Sequence, residues 1–565
     1  MKRILPFFVA VLAAGCGTDV SGPSSSLLSC VFGDVTQVGL GEVVQVRGVE
    51  HQVVCLEGPA DGTFLYMPFH ASADSAADLD VSVTGAGLAA LAGPADATLE
   101  PATLAAGLRP GLTLDHGFHS RLRQREIREL EPRIRPAVGT PVALDVMGAA
   151  VGAEVPAVGE LRDFNVAISC SDIDLRTGEV MYVSDHAVVY ADTANPADLS
   201  GSDFEYFAAT FDTLVYPVET AHFGAPTDID GNGRSILFFT QAVNEMNPPE
   251  SESVTIGFFW SGDLFPETGT QRLEACPESN HSEMFYLITP DPQGVAGVPF
   301  SLESVRDLAI PLIGHEFQHL INASRRLFVN EASVFEAPWL NEGLSHAAEE
   351  LLYYEVSGLR SGRNLTLDAV LSVPGRGDSI FNRYMGSNIN NFAKFLSRPD
   401  TASLMGPPDA LTTRGAAWHF LRYATDRSPA NDSSFFFDVV NGTTAGVENL
   451  NSVLGAGQAL DWMQDWTVAV YADDLLPEID ARFEVLSWNL REIYPQLSAD
   501  EQPLGRYPID VTLLENGQTV SIGLGVGGTT FNRFDVTADG RAILHVESDG
   551  RAPPSRLRGS FLRVQ

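Results

Sequence analysis

Five residues, His315-Glu316-Phe317-Gln318-His319, constrain this chain more than any other stretch. On a helix, side chains four apart leave the same face, so both imidazoles can grip one metal ion. Glu316 stands roughly 100° further round, beside such an ion rather than on it, because a turn holds about 3.6 residues. A carboxylate in that place can take a proton from an attacking water. The alternative is a pair of core histidines on an ordinary helix, and the flanks weigh against it. Leu308–Leu320 is apolar apart from the motif residues, Gly314 and Gln318. Such a helix lies buried in a domain and turns its polar groups into a cleft. Pro311 predicts that the helix starts or bends near that point, with both histidines beyond it.

A catalytic zinc takes three protein ligands and keeps one position open. A third histidine six residues after His319 is absent, since Arg325 stands there. Further on, Trp339-Leu340-Asn341-Glu342-Gly343-Leu344-Ser345 precedes His346 and the helix-forming run Ala347–Tyr354. Pro338 suits the first turn of that second helix. Glu342 is the candidate third ligand. His346, four residues later on the same face, is its rival. Glu349 and Glu350 read as solvated charges on the helix surface.

The His-Glu-x-x-His motif with Asn341-Glu342-Gly343 downstream, 22 residues separating His319 from Glu342, resembles the gluzincin clan of metallopeptidases. The Asn-Glu-Gly core is similar to the matching segment of both the thermolysin-like and the aminopeptidase-N-like families. The wider context resembles the hyicolysin family. It comprises Thr227–Gly233 before an apolar strand, Glu283-Met284-Phe285-Tyr286, and His315 to Asn322, within roughly residues 155–475. The resemblance implies a zincin-like core, zinc held by His315, His319 and Glu342, Glu316 as general base, and a protein or peptide substrate. Tyr384, His346 and His419 are the candidate donors to the oxyanion. An endopeptidase is the expected activity. An aminopeptidase is the alternative, although the amine-binding Gly-x-Met-Glu-Asn motif is missing. A surface lipoprotein that keeps the helix pair only as a scaffold is the third reading, and it leaves Glu316 without a purpose.

The net charge of −38, from 73 acidic against 35 basic residues, argues against nucleic acid or an anionic membrane surface as a partner. Residues 1–16 read as a secretion signal: Lys2 and Arg3, an apolar run, then Ala13-Ala14-Gly15-Cys16, which resembles a bacterial lipobox. Cys16 is the expected lipidation site, with a plain secretory signal as the alternative. Residues 17–26 form a small, polar tether. Gly17 after the cysteine resembles lipoproteins sorted to the outer membrane, so the expected location is extracytoplasmic. The membrane is then met only through the N-terminal lipid.

The remaining cysteines, Cys30, Cys55, Cys170 and Cys276, are even in number, as expected for disulfides in an exported chain. Cys30–Cys55 would close an N-terminal unit and Cys170–Cys276 would brace the catalytic region, among three formal pairings. The fold class is α+β: a zincin-like core with a mainly helical C-terminal subdomain, flanked by small β modules. An N-terminal β module spans 27–100 and a linker or propeptide junction spans 101–140. The metallopeptidase domain occupies 141–489, with its helical part at 303–475, and a C-terminal β module follows at 490–565. Within 101–140, Arg121, Arg123, Arg125, Arg128, Arg133 and Arg135 predict an exposed helix ended by Pro132 and Pro136. The pattern also gives a helix over 204–217, a strand over 236–240, and helices over 410–427 and 456–473. Asp228-x-Asp230-x-Asn232-Gly233 matches the first half of a calcium loop, but its twelfth position is Phe239. An Asx-rich turn is therefore favoured over calcium.

Overall fold

A computed structural model describes residues 35–73, 77–89, 113–114, 116–136, 155–197, 199–251, 253–407, 410–476, 478–499, 502–503 and 505–565. Cys16, the expected signal and tether, and Cys30 lie outside them. The architecture is α+β. Its centre is a six-stranded mixed sheet in the order Gly257–Phe258, Met284–Leu287, Ser235–Phe239, Ala187–Asp192, Leu175–Val183, Leu161–Asn165. Ser235–Phe239 is buried throughout and pairs in parallel with both neighbours, which is why its sequence runs apolar without alternation. Gly257–Phe258 is the edge strand, antiparallel to Met284–Leu287.

The helix carrying the five-residue motif runs Leu302–Ser324 and packs on this sheet. Ser301 caps it, its hydroxyl accepting from the Ser304 amide. The helix does not start at Pro311 but runs through it. Phe317 holds the helix to the sheet by a ring contact with Phe285, and to the neighbouring helical turns by contacts with Phe211 and Tyr216. The second helix, Pro338–Ser357, begins on its proline and ends at Gly358 in the left-handed region, φ 72°. The two helices approach closely. A β-carbon on Gly314 would meet Leu352 Cδ1 at 2.4 Å, and one on Gly343 would meet Ala417 Cβ at 2.9 Å. Gly343 thereby lets a third helix, Leu411–Arg427, cross against the second. The helices Gly377–Ser397 and Ala459–Ala472 complete the helical side.

Strands from the two ends of the chain share two five-stranded sheets. One is ordered Val35–Gln37, Val53–Glu57, Arg541–Ser548, Leu79–Ala86, Thr519–Leu524. The other is ordered Thr512–Leu513, Asn532–Asp535, Thr63–His70, Leu557–Arg563, Val43–Arg47. The stretches expected as separate N- and C-terminal modules thus form one sandwich with a common core of Phe64, Tyr66, Leu544 and Phe561. Leu65, Met67 and Phe69 alternate to the opposite face and join the main core. Cys170 and Cys276 form a disulfide, and Cys55 is also disulfide-bonded. Among the described residues no helix is long and apolar enough to cross a membrane.

Candidate metal centre

His315, His319 and Glu342 come together from the two packed helices, all buried. Nε2 of His315 lies 3.5 Å from Glu342 Oε2, and Nε2 of His319 lies 3.8 Å from Glu342 Oε1. Ligand atoms about 2.0–2.1 Å from a tetrahedral ion stand about 3.3 Å apart, so the three donors are spaced for one ion. Their outer nitrogens are already committed. His315 Nδ1 donates to Glu349 Oε1 at 2.8 Å, and His319 Nδ1 donates to Asn341 Oδ1 at 3.1 Å. Such partners fix ring orientation and leave Nε2 for a metal. This explains the asparagine of the Asn-Glu-Gly run.

The electrostatics also fit a cation. Burial alone would lower His315, but the carboxylates of Glu342 and Glu349 outweigh it and bring it to about 10. A site that takes up a proton so readily carries negative charge to spare. Both Glu342 oxygens are buried and neither accepts a well-directed hydrogen bond, although Arg414 Nη1 lies 2.9 Å from Oε2. Burial would raise Glu342; Arg414 and the two histidines hold it well below the usual range, so it is ionised. Burial lowers His319 and keeps it neutral, as metal ligation requires. The residues present fit a metal ion.

Glu316 is not one of the three grouped donors. Oε2 accepts from the Phe259 amide at 2.8 Å and Oε1 has no hydrogen-bond partner. Burial pushes its carboxyl up to about 7, against the pull of His315 and Arg123. Beside it is a cavity of about 80 Å³, lined in part by His119, Ile256, His346, Arg383 and Arg414. A larger cavity, about 800 Å³, lies elsewhere, between Thr213, His222, Tyr354 and Asp432, and touches none of the three donors.

Several expectations need correction. Glu349 and Glu350 are buried rather than solvated. Glu349 binds His315 through one oxygen and His346 Nδ1, at 3.3 Å, through the other. Burial would raise it, but the His346 and His315 rings bring it to about 2. Glu350 accepts from Trp488 and Tyr354. His419 is stacked on Phe392 and accepts from Trp466 Nε1, far into the helical core. Tyr384 is buried on the helix Gly377–Ser397 and does not line the cavity. His346 does line it, with a buried Nε2 that has no partner. His346 groups with His315 and Glu349 rather than with His319 and Glu342.

The arginine-rich helix, His116–Glu129, is not an exposed linker. Its His119, Arg123 and Glu126 are buried against the motif helix and edge strand, because Arg123 and Glu126 neutralise each other at 2.8 Å. Nothing in the sequence places His119, Glu126 or Arg414 at the site, and Arg123 reads there only as one of the exposed arginines. No local signal could have brought Arg414 to Glu342, a contact made only by the crossing of helices. The loop acids Asp228 and Asp230 do converge with Glu283. They are used by the turn itself: Asp228 accepts from the Gly233 amide and Asp230 from Asn232, while Glu283 accepts from Thr227 and Ile229.

Over 141 residues the chain is 26% identical to the neutral metalloprotease ShpI of Staphylococcus hyicus. The match covers 25% of this chain and 29% of that protein's length. The chain is a distant relative of a metalloprotease. No family model matches it. The disulfide between Cys170 and Cys276 and the buried His/Glu set are compatible with that relationship.

Proposed function

We propose that this protein is an exported zinc metallopeptidase of gluzincin type, related to the hyicolysin family, that cuts inside polypeptide chains. The observation that carries the reading is Glu316, whose unpartnered oxygen stands beside three buried donors spaced for one ion. His315, His319 and Glu342 would hold the zinc, which when bound supplies Lewis acidity toward the scissile carbonyl and acidifies water. Glu316 takes the proton through Oε1 while the Phe259 amide holds Oε2, so its lone pairs are aimed before substrate arrives. His346 is held to Glu349 through Nδ1 and keeps an unpartnered Nε2 at the cavity, where it is placed to meet the oxyanion.

Endopeptidase action is favoured by what lines the cavity. Holding a free α-amino group takes spare carboxylates. Here Glu349 is engaged by two histidines, and Arg383 and Arg414 bring positive charge. Export is supported by the disulfide, and we propose anchoring through a lipid on Cys16. The test is metal analysis of the purified protein, with turnover of an internally quenched peptide blocked at both ends compared with free aminoacyl reporters. One zinc per chain and cleavage of the blocked peptide, abolished by chelator, are expected. Turnover of the reporters alone would establish an aminopeptidase instead.

A further inference from the structure

The arginine-rich helix lies against Glu316 and the edge strand. Just past the edge strand Gly257–Phe258, the backbone offers the Phe259 carbonyl and, where a short 3-10 turn opens, the Ser261 amide, a pair like that with which a free strand edge takes in an extended chain. Both are taken: Arg123 Nη2 donates to the Phe259 carbonyl, and Glu126 Oε1 accepts from the Ser261 amide at 2.7 Å. The two side chains are bound to each other, so together they present a donor and an acceptor as a peptide backbone does. Just upstream, Thr113–Leu114 already runs as a parallel strand along Ser253–Val254. Phe118 packs on Phe258 at 5.2 Å between ring centroids. His119 reaches the centre itself, its unpartnered Nδ1 3.6 Å from the unpartnered Oε1 of Glu316.

The space that remains is too small for a peptide. The cavity beside Glu316 holds about 80 Å³, whereas ligand sites usually span about 300–1,000 Å³. His119 lines this cavity, and Arg125 of the same helix lines another of about 330 Å³ that also borders Phe258 and Met246.

We propose that the helix His116–Glu129 is an internal occupant of the substrate cleft, an autoinhibitory segment that peptide must displace before it reaches Glu316. This rests on the metallopeptidase reading. The chain as folded is latent, and substrate and helix compete for the same backbone edge.

The test uses the full-length, zinc-loaded protein and two probes. An end-blocked peptide hydroxamate needs both the metal and the strand edge; acetohydroxamate needs only the metal. Saturating peptide hydroxamate should speed amide hydrogen exchange in residues 116–129 by about tenfold or more, as a displaced helix loses its protection. The Arg123→Ala/Glu126→Ala variant should bind the peptide hydroxamate about tenfold tighter, since a cleft open in about a tenth of molecules weakens affinity by that fraction. Its affinity for acetohydroxamate should change by less than about threefold, because that probe does not use the backbone edge that Arg123 and Glu126 occupy. Slower or unchanged exchange in 116–129 overturns the proposal without any variant. So does equal or weaker binding by a folded variant, or failure of both proteins to bind the peptide hydroxamate while holding zinc. Displacement of the helix without cleavage of any peptide keeps the occupancy and removes the peptidase reading.

Discussion

Glu316 and Glu349 differ in what surrounds them, and that difference sets what each can do. Glu316 keeps one oxygen unpartnered, so Glu316→Gln is expected to retain the metal and the fold. Its peptidase rate should fall by about 10²–10⁴, the usual share of a general base. Metal content with single-turnover kinetics checks this; comparable rates would remove Glu316 as the base. A base must be ionised, so kcat/KM should rise with pH along an acid limb. Burial sets Glu316 at about 7 without metal, and the ion's positive charge places the limb at or below that. Glu349, by contrast, holds His315 and His346 together. Glu349→Gln is therefore expected to weaken metal affinity by about 10–100-fold, as is typical of partners behind a ligand. Competitive titration against a zinc dye would measure it. The motif residues were legible because their spacing is local. Glu349 was misread because a carboxylate on a helix defaults to solvent unless partners from another element are known.

At the scale of elements, the two-helix frame was legible and its tightness was not. Gly343 reads from sequence only as part of a motif, yet the third helix packs against it. Gly343→Leu should push Leu411–Arg427 away and shift Glu342 beside it. A stability loss of roughly 1–3 kcal/mol is expected for such overpacking, together with weaker zinc binding. Thermal melts with and without zinc would show whether the loss is larger for the loaded protein. The Asx-rich loop carries a second expectation. Burial raises Glu283 to about 8, opposed by the Ile229 amide and Thr227. Its unfolded value is about 4.5, so the folded state keeps a proton that the unfolded state has lost. That contribution is full below about pH 4.5 and is lost as pH rises toward about 8. Glu283→Gln should flatten the decline of melting temperature between about pH 6 and 9. An unchanged slope would place the proton elsewhere. The arginine-rich helix was predicted as a helix but not as buried, since composition cannot show that Arg123 finds Glu126 and a strand edge at once.

Across the whole molecule, the sandwich ties the two ends of the chain together. Arg563 donates to the Val38 carbonyl, 525 residues away, and Val43–Arg47 pairs with Leu557–Arg563. Removing residues 506–565 should therefore leave Val43–Arg47, Thr63–His70 and Leu79–Ala86 without their partners. Limited proteolysis of that truncated chain is expected to cut first within residues 35–89. Protection there would mean that the N-terminal strands fold alone. The periodicity of these strands was readable, but their pairing was not, because alternation shows a buried face and never which strand lies beside it. The pairing also sets a clock. At about 5–20 residues per second, a ribosome needs roughly half a minute to two minutes to supply Leu557 after Val43. Val43–Arg47, Thr63–His70 and Leu79–Ala86 are made early and wait for neighbours from the other end, so the part that carries the candidate metal centre is complete in the growing chain before the sandwich that accompanies it can close.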